Sequence, residues 1–118
     1  MAHLLLIDDD KSIGEVMPLV LDELGHTVTV VASLNQLSSV KNNKYDLILL
    51  DLNIGSLSGK AVIDEIRKYS FTHSTPLILF SADYAVDAFE KNKFVKGVLK
   101  KPFDITELAT VINNHISI

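Results

Sequence analysis

Four acidic side chains follow two short apolar runs of this sequence. Asp8, Asp9 and Asp10 come directly after one run of four apolar residues, and Asp51 comes directly after another. If the two runs are neighbouring strands of a parallel sheet, their carboxyl ends meet at the edge where such sheets bind ligands. Carboxylates gathered in a low-dielectric cleft repel one another, so such a cluster normally holds a hard divalent cation. The sequence therefore predicts a Mg²⁺ site, with Mn²⁺ as the alternative ion.

A hydroxyl and an ammonium group follow two later apolar segments. Ser81 comes after the first of these segments and Lys101 after the second. At the same edge, Lys101 could pair with a carboxylate at rest and with a phosphate oxygen afterwards, while Ser81 donates to another oxygen. A carboxylate nucleophile held in that field would form an aspartyl phosphate. The predicted chemistry is therefore phosphoryl transfer.

The elements that must position these groups are short strands that alternate with helical segments. The predicted strands are His3–Ile7, Val28–Val31, Asp46–Leu50, Leu77–Phe80 and Val95–Lys100. Several are almost entirely apolar, which is typical of strands buried on both faces. The alternation indicates a parallel sheet covered by helices on both faces. We therefore predict an α/β fold that forms one domain over residues 1–118.

Helical spacing follows each predicted strand. The first helix carries one apolar face and ends at Gly25. That face comprises Ile13, Val16, Met17, Val20, Leu21 and Leu24. Further helices are predicted near residues 34–42, 59–69, 84–92 and 104–115. The fold should therefore contain five helices.

Polar side chains mark the starts of these helices. Ser33 with Gln36 and Asp104 with Glu107 have the spacing of a capping box. The caps of the remaining two later helices are predicted at Ser58 and Asp83. Asp10 is interpreted as the start of the first helix, where its charge favours the helix dipole, and not as a metal ligand.

Composition sets limits on function. The chain has 118 residues, a mass of 13.0 kDa and no cysteine, which excludes disulfides, thiolate zinc sites and cysteine nucleophiles. Its apolar runs are far shorter than the ~20 residues needed to span a bilayer, and no signal peptide is recognisable, so we expect a cytoplasmic protein without membrane contact. A net charge of −4 argues against direct nucleic-acid binding.

The basic residues are unevenly distributed. Five of the eleven lie between Lys91 and Lys101, with no acidic residue among them. The run is interpreted mainly as a solvated face, and a docking surface for an acidic partner is the alternative.

The motifs that carry this chemistry resemble the receiver domain of bacterial two-component response regulators over essentially the full chain. They are Leu-Leu-Leu-Ile-Asp-Asp-Asp at 4–10, Leu-Ile-Leu-Leu-Asp-Leu at 47–52, Ser58-Gly59, Leu-Ile-Leu-Phe-Ser-Ala at 77–82 and Gly-Val-Leu-Lys-Lys-Pro-Phe at 97–103. The resemblance implies a flavodoxin-like, doubly wound sheet with strand order 2-1-3-4-5.

The resemblance also implies a role for each acidic residue. Asp51 would accept phosphate from the phosphohistidine of a histidine kinase or phosphotransfer protein. Asp9, Asp51 and the backbone carbonyl of Asn53 would ligate Mg²⁺, and Asp8 would hold it through water. The chain would be a signalling phosphoacceptor that promotes its own phosphotransfer and dephosphorylation, and not an enzyme acting on a separate substrate.

Further implied roles concern the switch. Ser81 would be the hydroxyl switch residue and Lys101 the phosphate-binding residue, with the bond before Pro102 commonly cis in the family. The output would be a shift over residues 81–103, read by a downstream protein or output domain through the fourth helix, fifth strand and fifth helix.

Several positions depart from the family pattern. Val98 stands where an aromatic residue usually relays the signal, and Gly55 stands where proline is frequent, which suggests a looser loop. Ser81 in place of threonine keeps the hydroxyl and loses the methyl that restricts its rotamer. Asn53 and Asp83 are small and polar, so a water could reach the phosphorus between them, which predicts relatively quick self-dephosphorylation.

Other functions were weighed against this one. Asp8-x-Asp10-x-Ser12 is similar to the nucleophile motif of haloacid-dehalogenase-type phosphatases, in which Asp8 would attack, but this alternative leaves Asp51 without a role. A flavodoxin-like nucleotide binder conflicts with three acids after the first strand. An EF-hand starting at Asp51 would place Val62 where a bidentate Glu is needed. A receiver-like domain with impaired switching remains an alternative because of Val98.

Overall fold

The centre of the molecule is a five-stranded sheet. The computed structural model describes residues 1–55, 58–81 and 93–116. The strands are β1 (His3–Ile7), β2 (Thr27–Val31), β3 (Leu47–Leu50), β4 (Leu77–Ser81) and β5 (Val95–Lys100). They lie in the order β2-β1-β3-β4-β5, and every neighbouring pair is parallel. The predicted fold class and strand order are confirmed, and the predicted bounds of β2, β3 and β4 differ by one residue at one end.

Both faces of the sheet are buried. Leu4 and Leu6 of β1 pack on one side with α1 (Lys11–Glu23) and α4 (Ile105–His115). Leu5 and Ile7 pack on the other side with α2 (Leu37–Val40) and α3 (Gly59–Arg67). Because alternate strand residues enter opposite cores, the central strands β1, β3 and β4 must be apolar at consecutive positions, which is why they read as nearly unbroken apolar runs.

Helix α1 begins at the predicted Asp10 and ends at Glu23, two residues before the predicted stop at Gly25. Asp10 caps it by accepting hydrogen bonds from the N–H groups of Ser12 and Ile13 at 2.8 and 3.3 Å. Gly25 follows it with a φ of 86°, a left-handed conformation that glycine adopts without strain. The assignment of Val16 to the buried face is wrong, because its side chain is 53% exposed. The apolar face is therefore narrower than predicted.

The predicted helix over residues 34–42 is shorter and less regular than expected. Leu34–Gln36 form a 3₁₀ turn, and α2 then covers only Leu37–Val40. The capping box is also incorrect, because Ser33 makes no side-chain capping bond and Gln36 accepts from the N–H of Ala32 at 2.6 Å. The glutamine thus reaches one residue further back than a capping box requires.

The two later described helices start at the predicted caps. Ser58 accepts from the N–H of Ala61 at 3.2 Å, and Asp104 accepts from the N–H of Glu107 at 2.8 Å. The helix predicted over 84–92 and its cap Asp83 lie outside the described residues. Within the described ranges, no helix has the length and apolar character that crossing a membrane would require.

Strand β5 contains one extra residue. Leu77 pairs with Val95, but the next residue, Ile78, pairs with Gly97. Lys96 therefore has no partner on β4 and forms a bulge.

Candidate functional site

The first two acidic groups are fixed by the sheet itself. Ile7 at the end of β1 lies opposite Leu50 at the end of β3. The backbone pairing continues beyond the strands, because the N–H of Asp51 donates to the Ile7 carbonyl at 2.9 Å and that of Asp8 donates to the Val31 carbonyl at 3.1 Å. Asp8 and Asp51 therefore project from the carboxyl edge of the sheet on rigid backbone.

Three carboxylates meet at this edge. Asp8, Asp9 and Asp51 each offer an oxygen within 4.8 Å of the others, and we call them the acidic cluster. Asp8 and Asp51 are only 1% and 5% exposed, whereas Asp9 faces solvent. The N–H of Gly55 donates to Asp9 at 3.2 Å and so ties the loop after β3 to the cluster. The cluster thus has a buried floor and one open side.

Lys101 completes the site from the end of β5. Its Nζ donates to Oδ2 of Asp8 at 3.0 Å and to Oδ2 of Asp51 at 3.2 Å. Only 18% of its side chain is exposed, so solvent screens these pairs weakly. The bond between Lys101 and Pro102 is cis, as the resemblance implies.

The ring of Phe80 supports the same ammonium group. Nζ of Lys101 lies 4.3 Å above the centroid of this fully buried ring, within the range of a cation–π interaction. Phe103 packs on Phe80 with a centroid distance of 5.6 Å. Phe80 is not among the site residues predicted from the sequence. The only signal was an aromatic residue directly before Ser81 at a strand end.

The acidic cluster carries more negative charge than Lys101 neutralises. Burial raises the pKa of the Asp8 carboxyl above its ordinary value, and the charge of Asp51 acts in the same direction. The N–H of Asp10 and the ammonium of Lys101 partly offset this rise by stabilising the charged form. With all three carboxylates ionised, one ammonium leaves a charge of −2 among the described groups of the site. That excess matches the charge of a divalent cation.

The other candidate residues lie at or near this edge. Asn53 is exposed, and its N–H donates to Oδ1 of Asp51 at 2.9 Å. Ser81 ends β4 opposite Lys100, which brings its backbone to the same edge, but its side chain and all of Asp83 lie outside the described residues. Val98 is half-buried and packs on the core beneath α3. Asp10 is not part of the cluster, because it caps α1.

The fold and the site together are those of a signalling receiver: a parallel α/β sheet with an acidic cluster and a lysine at its carboxyl edge. The chain belongs to the response regulator receiver domain family, whose model matches residues 4–113. Receiver domains are the signalling modules of two-component response regulators, so the recognition made from the motifs is confirmed.

Individual relatives agree with this assignment. The chain is 34% identical to the transcriptional regulatory protein YvrH of Bacillus subtilis over 98% of its length, and 32% identical to the transcription factor SKN7 of Candida albicans over 97%. It spans 49% of YvrH and 21% of SKN7. The chain therefore corresponds to only part of each of these regulators.

A solved structure shows the same fold. The receiver domain of the sensor histidine kinase PA1611 from Pseudomonas aeruginosa superposes with a TM-score of 0.79 at 29% identity, covering 97% of this chain and 96% of that one. That structure contains a magnesium ion coordinated in its active site cleft.

Proposed function

We propose that this chain is a phosphoacceptor in which Asp51 takes a phosphoryl group from the phosphohistidine of a histidine kinase or phosphotransfer protein. The observation that carries the proposal is the position of Lys101, whose Nζ lies about equally far from Asp8 and Asp51, at 3.0 and 3.2 Å. A lysine held between two buried carboxylates can pair with new oxygens as soon as one carboxylate is phosphorylated. Membership of the receiver family supports the same role.

The transfer needs little covalent chemistry from the protein. A carboxylate oxygen of Asp51 attacks phosphorus, the bond from phosphorus to the imidazole nitrogen breaks, and its electron pair stays on the imidazole. Lys101 can stabilise the negative charge on the phosphoryl oxygens, and Asp8 keeps that ammonium in place. Because the N–H of Asn53 already binds Oδ1 of Asp51, the carboxylate is oriented before the donor arrives.

The acidic cluster also fits a divalent cation. Its oxygens lie within 4.8 Å of one another, its excess charge is −2, and Asp9 opens it to solvent. Hard cations such as Mg²⁺ prefer carboxylate oxygens and keep open positions for phosphate. We assign Asp9, Asp51 and the Asn53 carbonyl as direct ligands and Asp8 as a ligand through water. When bound, the ion would neutralise charge on the phosphoryl group.

The consequence of phosphorylation is a redistribution of partners at this edge. The hydroxyl of Ser81 and the ammonium of Lys101 both gain phosphoryl oxygens to bind, which favours loop geometries that satisfy them. The segment around Val98 and α4 would pass the change to a downstream protein or output domain. Asn53 and Asp83 would set the lifetime of the acyl phosphate by admitting water to it.

Labelling with a small phosphodonor in the presence of Mg²⁺ tests this function. We expect Asp51→Asn to abolish incorporation, because the amide is not a nucleophile for phosphorus. Asp10→Asn is the matched control, because asparagine caps helices as well as aspartate does and Asp10 lies outside the cluster. Incorporation that survives Asp51→Asn but is lost in Asp8→Asn would overturn the proposal in favour of a phosphatase-type nucleophile.

A further inference from the structure

The described lysines of the run between residues 91 and 101 do not lie on one surface. Lys101 enters the acidic cluster, as described above. Lys93 and Lys96 instead lie at the opposite, amino edge of the sheet, where β4 and β5 begin. The proposed phosphotransfer does not use this edge.

At the amino edge these two lysines line a cavity of about 450 Å³. We call it the basic pocket. It is lined by Arg67, Thr72, His73, Ser74, Thr75, Pro76, Lys93, Phe94 and Lys96. Its volume lies within the range of about 300–1,000 Å³ that is usual for small-molecule sites.

The charge of the basic pocket is one-sided. Arg67, Lys93 and Lys96 are basic and exposed, and none of the described lining residues is acidic. Among the described residues, none of these three cations forms an ion pair; the described pairs involve other lysines, at positions 11, 68 and 101. On a chain with net charge −4, three unpaired cations around one cavity form a local attraction for anions.

The guanidinium of Arg67 is held in position. It lies 5.3 Å from the centroid of the Phe94 ring, and His73 meets the same ring edge-on at 6.4 Å. The Nε2 atom of His73 also forms a hydrogen bond with the carbonyl of Arg67. A stacked guanidinium loses less freedom on binding than a free one, and its fork of N–H donors matches phosphate and carboxylate oxygens.

We propose that the basic pocket binds a small phosphate-bearing anion, such as pyrophosphate or a nucleotide. Three cations on two segments, Arg67 at the end of α3 and two lysines around the start of β5, favour a ligand with at least two negative charges that are close together, as on a phosphate group. The hydroxyl of Ser74 adds a donor at the rim, while Phe94 and Pro76 provide an apolar wall for an attached organic group. The pocket is concave and local, which favours a small molecule over a nucleic-acid strand.

Titration of the metal-free chain with inorganic pyrophosphate, followed by amide NMR, tests the proposal. Divalent ions are removed with a chelating resin, because a soluble chelator is itself a polyanion. We expect saturable shifts at residues 67–76 and 93–97 and none at residues 8–10 or 51–53. Both Arg67→Glu and Lys96→Glu should weaken binding at least about tenfold, since each removes one cation and adds an anion.

The matched control is Lys60→Glu. This substitution makes the same charge change on the same helix as Arg67, but at the opposite end of α3 and outside the pocket. Binding that does not saturate, or that weakens equally in Lys60→Glu and Arg67→Glu, would overturn the proposal. A glutamate-rich peptide that binds the same residues as tightly as pyrophosphate would also overturn it, and would assign the pocket to an acidic protein partner. None of these results depends on phosphorylation of Asp51.

Discussion

At the carboxyl edge of the sheet, Asp8 and Asp51 are buried and paired with Lys101, whereas the three cations of the basic pocket at the amino edge are exposed and form no ion pair among the described residues. Asp8 and Asp51, at the ends of β1 and β3, both accept hydrogen bonds from the ammonium of Lys101, at 3.0 and 3.2 Å. In the basic pocket, Arg67 and Lys96 are exposed to solvent. Arg67 lies over the ring of Phe94, which holds its guanidinium in position. Buried charges depend on their partners for stability, while exposed charges are free to serve ligands.

The largest difference between the edges should appear when one lysine is removed from each. Lys101→Met leaves two buried carboxylates without their shared cation, so we expect a loss of about 3 kcal/mol in the free energy of unfolding without metal. Lys96→Met removes an exposed, unpaired charge and should change it by less than about 0.5 kcal/mol. Urea unfolding measures both. Equal losses in the two variants would show that burial does not distinguish the edges.

A smaller effect should isolate the ring beneath Lys101. Phe80→Leu also removes core volume, so the contact must be measured as the coupling in a double-mutant cycle with Lys101→Met. We expect a coupling of about 1 kcal/mol, the value of a partly desolvated cation–π pair. The control cycle uses Phe71→Leu, whose ring packs in the core beneath α3 and away from Lys101. A coupling no larger than in this control would show that the ring only fills space.

The smallest effect concerns a buried titratable group at the amino edge. The N–H of Ala2 donates to Nδ1 of His26 at 2.9 Å, and burial lowers the pKa of His26 below its ordinary 6.5. The unfolded chain therefore binds this proton more readily than the folded one, so stability is highest above about pH 6.5 and falls as pH drops through the lowered value.

His26→Gln should keep an acceptor for Ala2 and reduce this loss of stability. The measurement is the free energy of unfolding between neutral pH and about pH 5, compared with the unsubstituted chain. An unchanged slope in His26→Gln would mean that other groups carry the acid sensitivity.

The sheet could be predicted almost completely from the sequence. Strands buried on both faces leave unbroken apolar runs, which is why the bounds of β1 are predicted correctly. The predicted bounds of β5 are also correct, although this strand contains two lysines and is only partly buried. Irregular elements were predicted less well. Val16 has the spacing of a buried residue, yet it is exposed, while Met17 and Leu21 are buried and Ile13, Val20 and Leu24 pack partly against the core. Periodicity alone therefore overstates the width of the apolar face.

The acidic cluster can be predicted from the sequence, whereas the basic pocket cannot. The acidic cluster follows from strand ends, because parallel strands bring their carboxyl ends together. The basic pocket could not be predicted, since Arg67 and His73 belong to a different segment from Lys93 and Lys96, and only the tertiary fold brings the end of α3 to the start of β5. The position of Phe80 under Lys101 is likewise a tertiary contact that strand alternation does not encode.

The bulge at Lys96 determines which face of the sheet each later residue of β5 points to. Strict alternation from Val95 would turn Val98 toward the α1 and α4 side and Leu99 toward the α2 and α3 side. The extra residue inverts this pattern, and Val98 and Leu99 are found in the opposite cores. The inserted residue Lys96, which lines the basic pocket, thus sets the side of the sheet that each later residue of β5 faces, up to the point where Lys101 follows the strand.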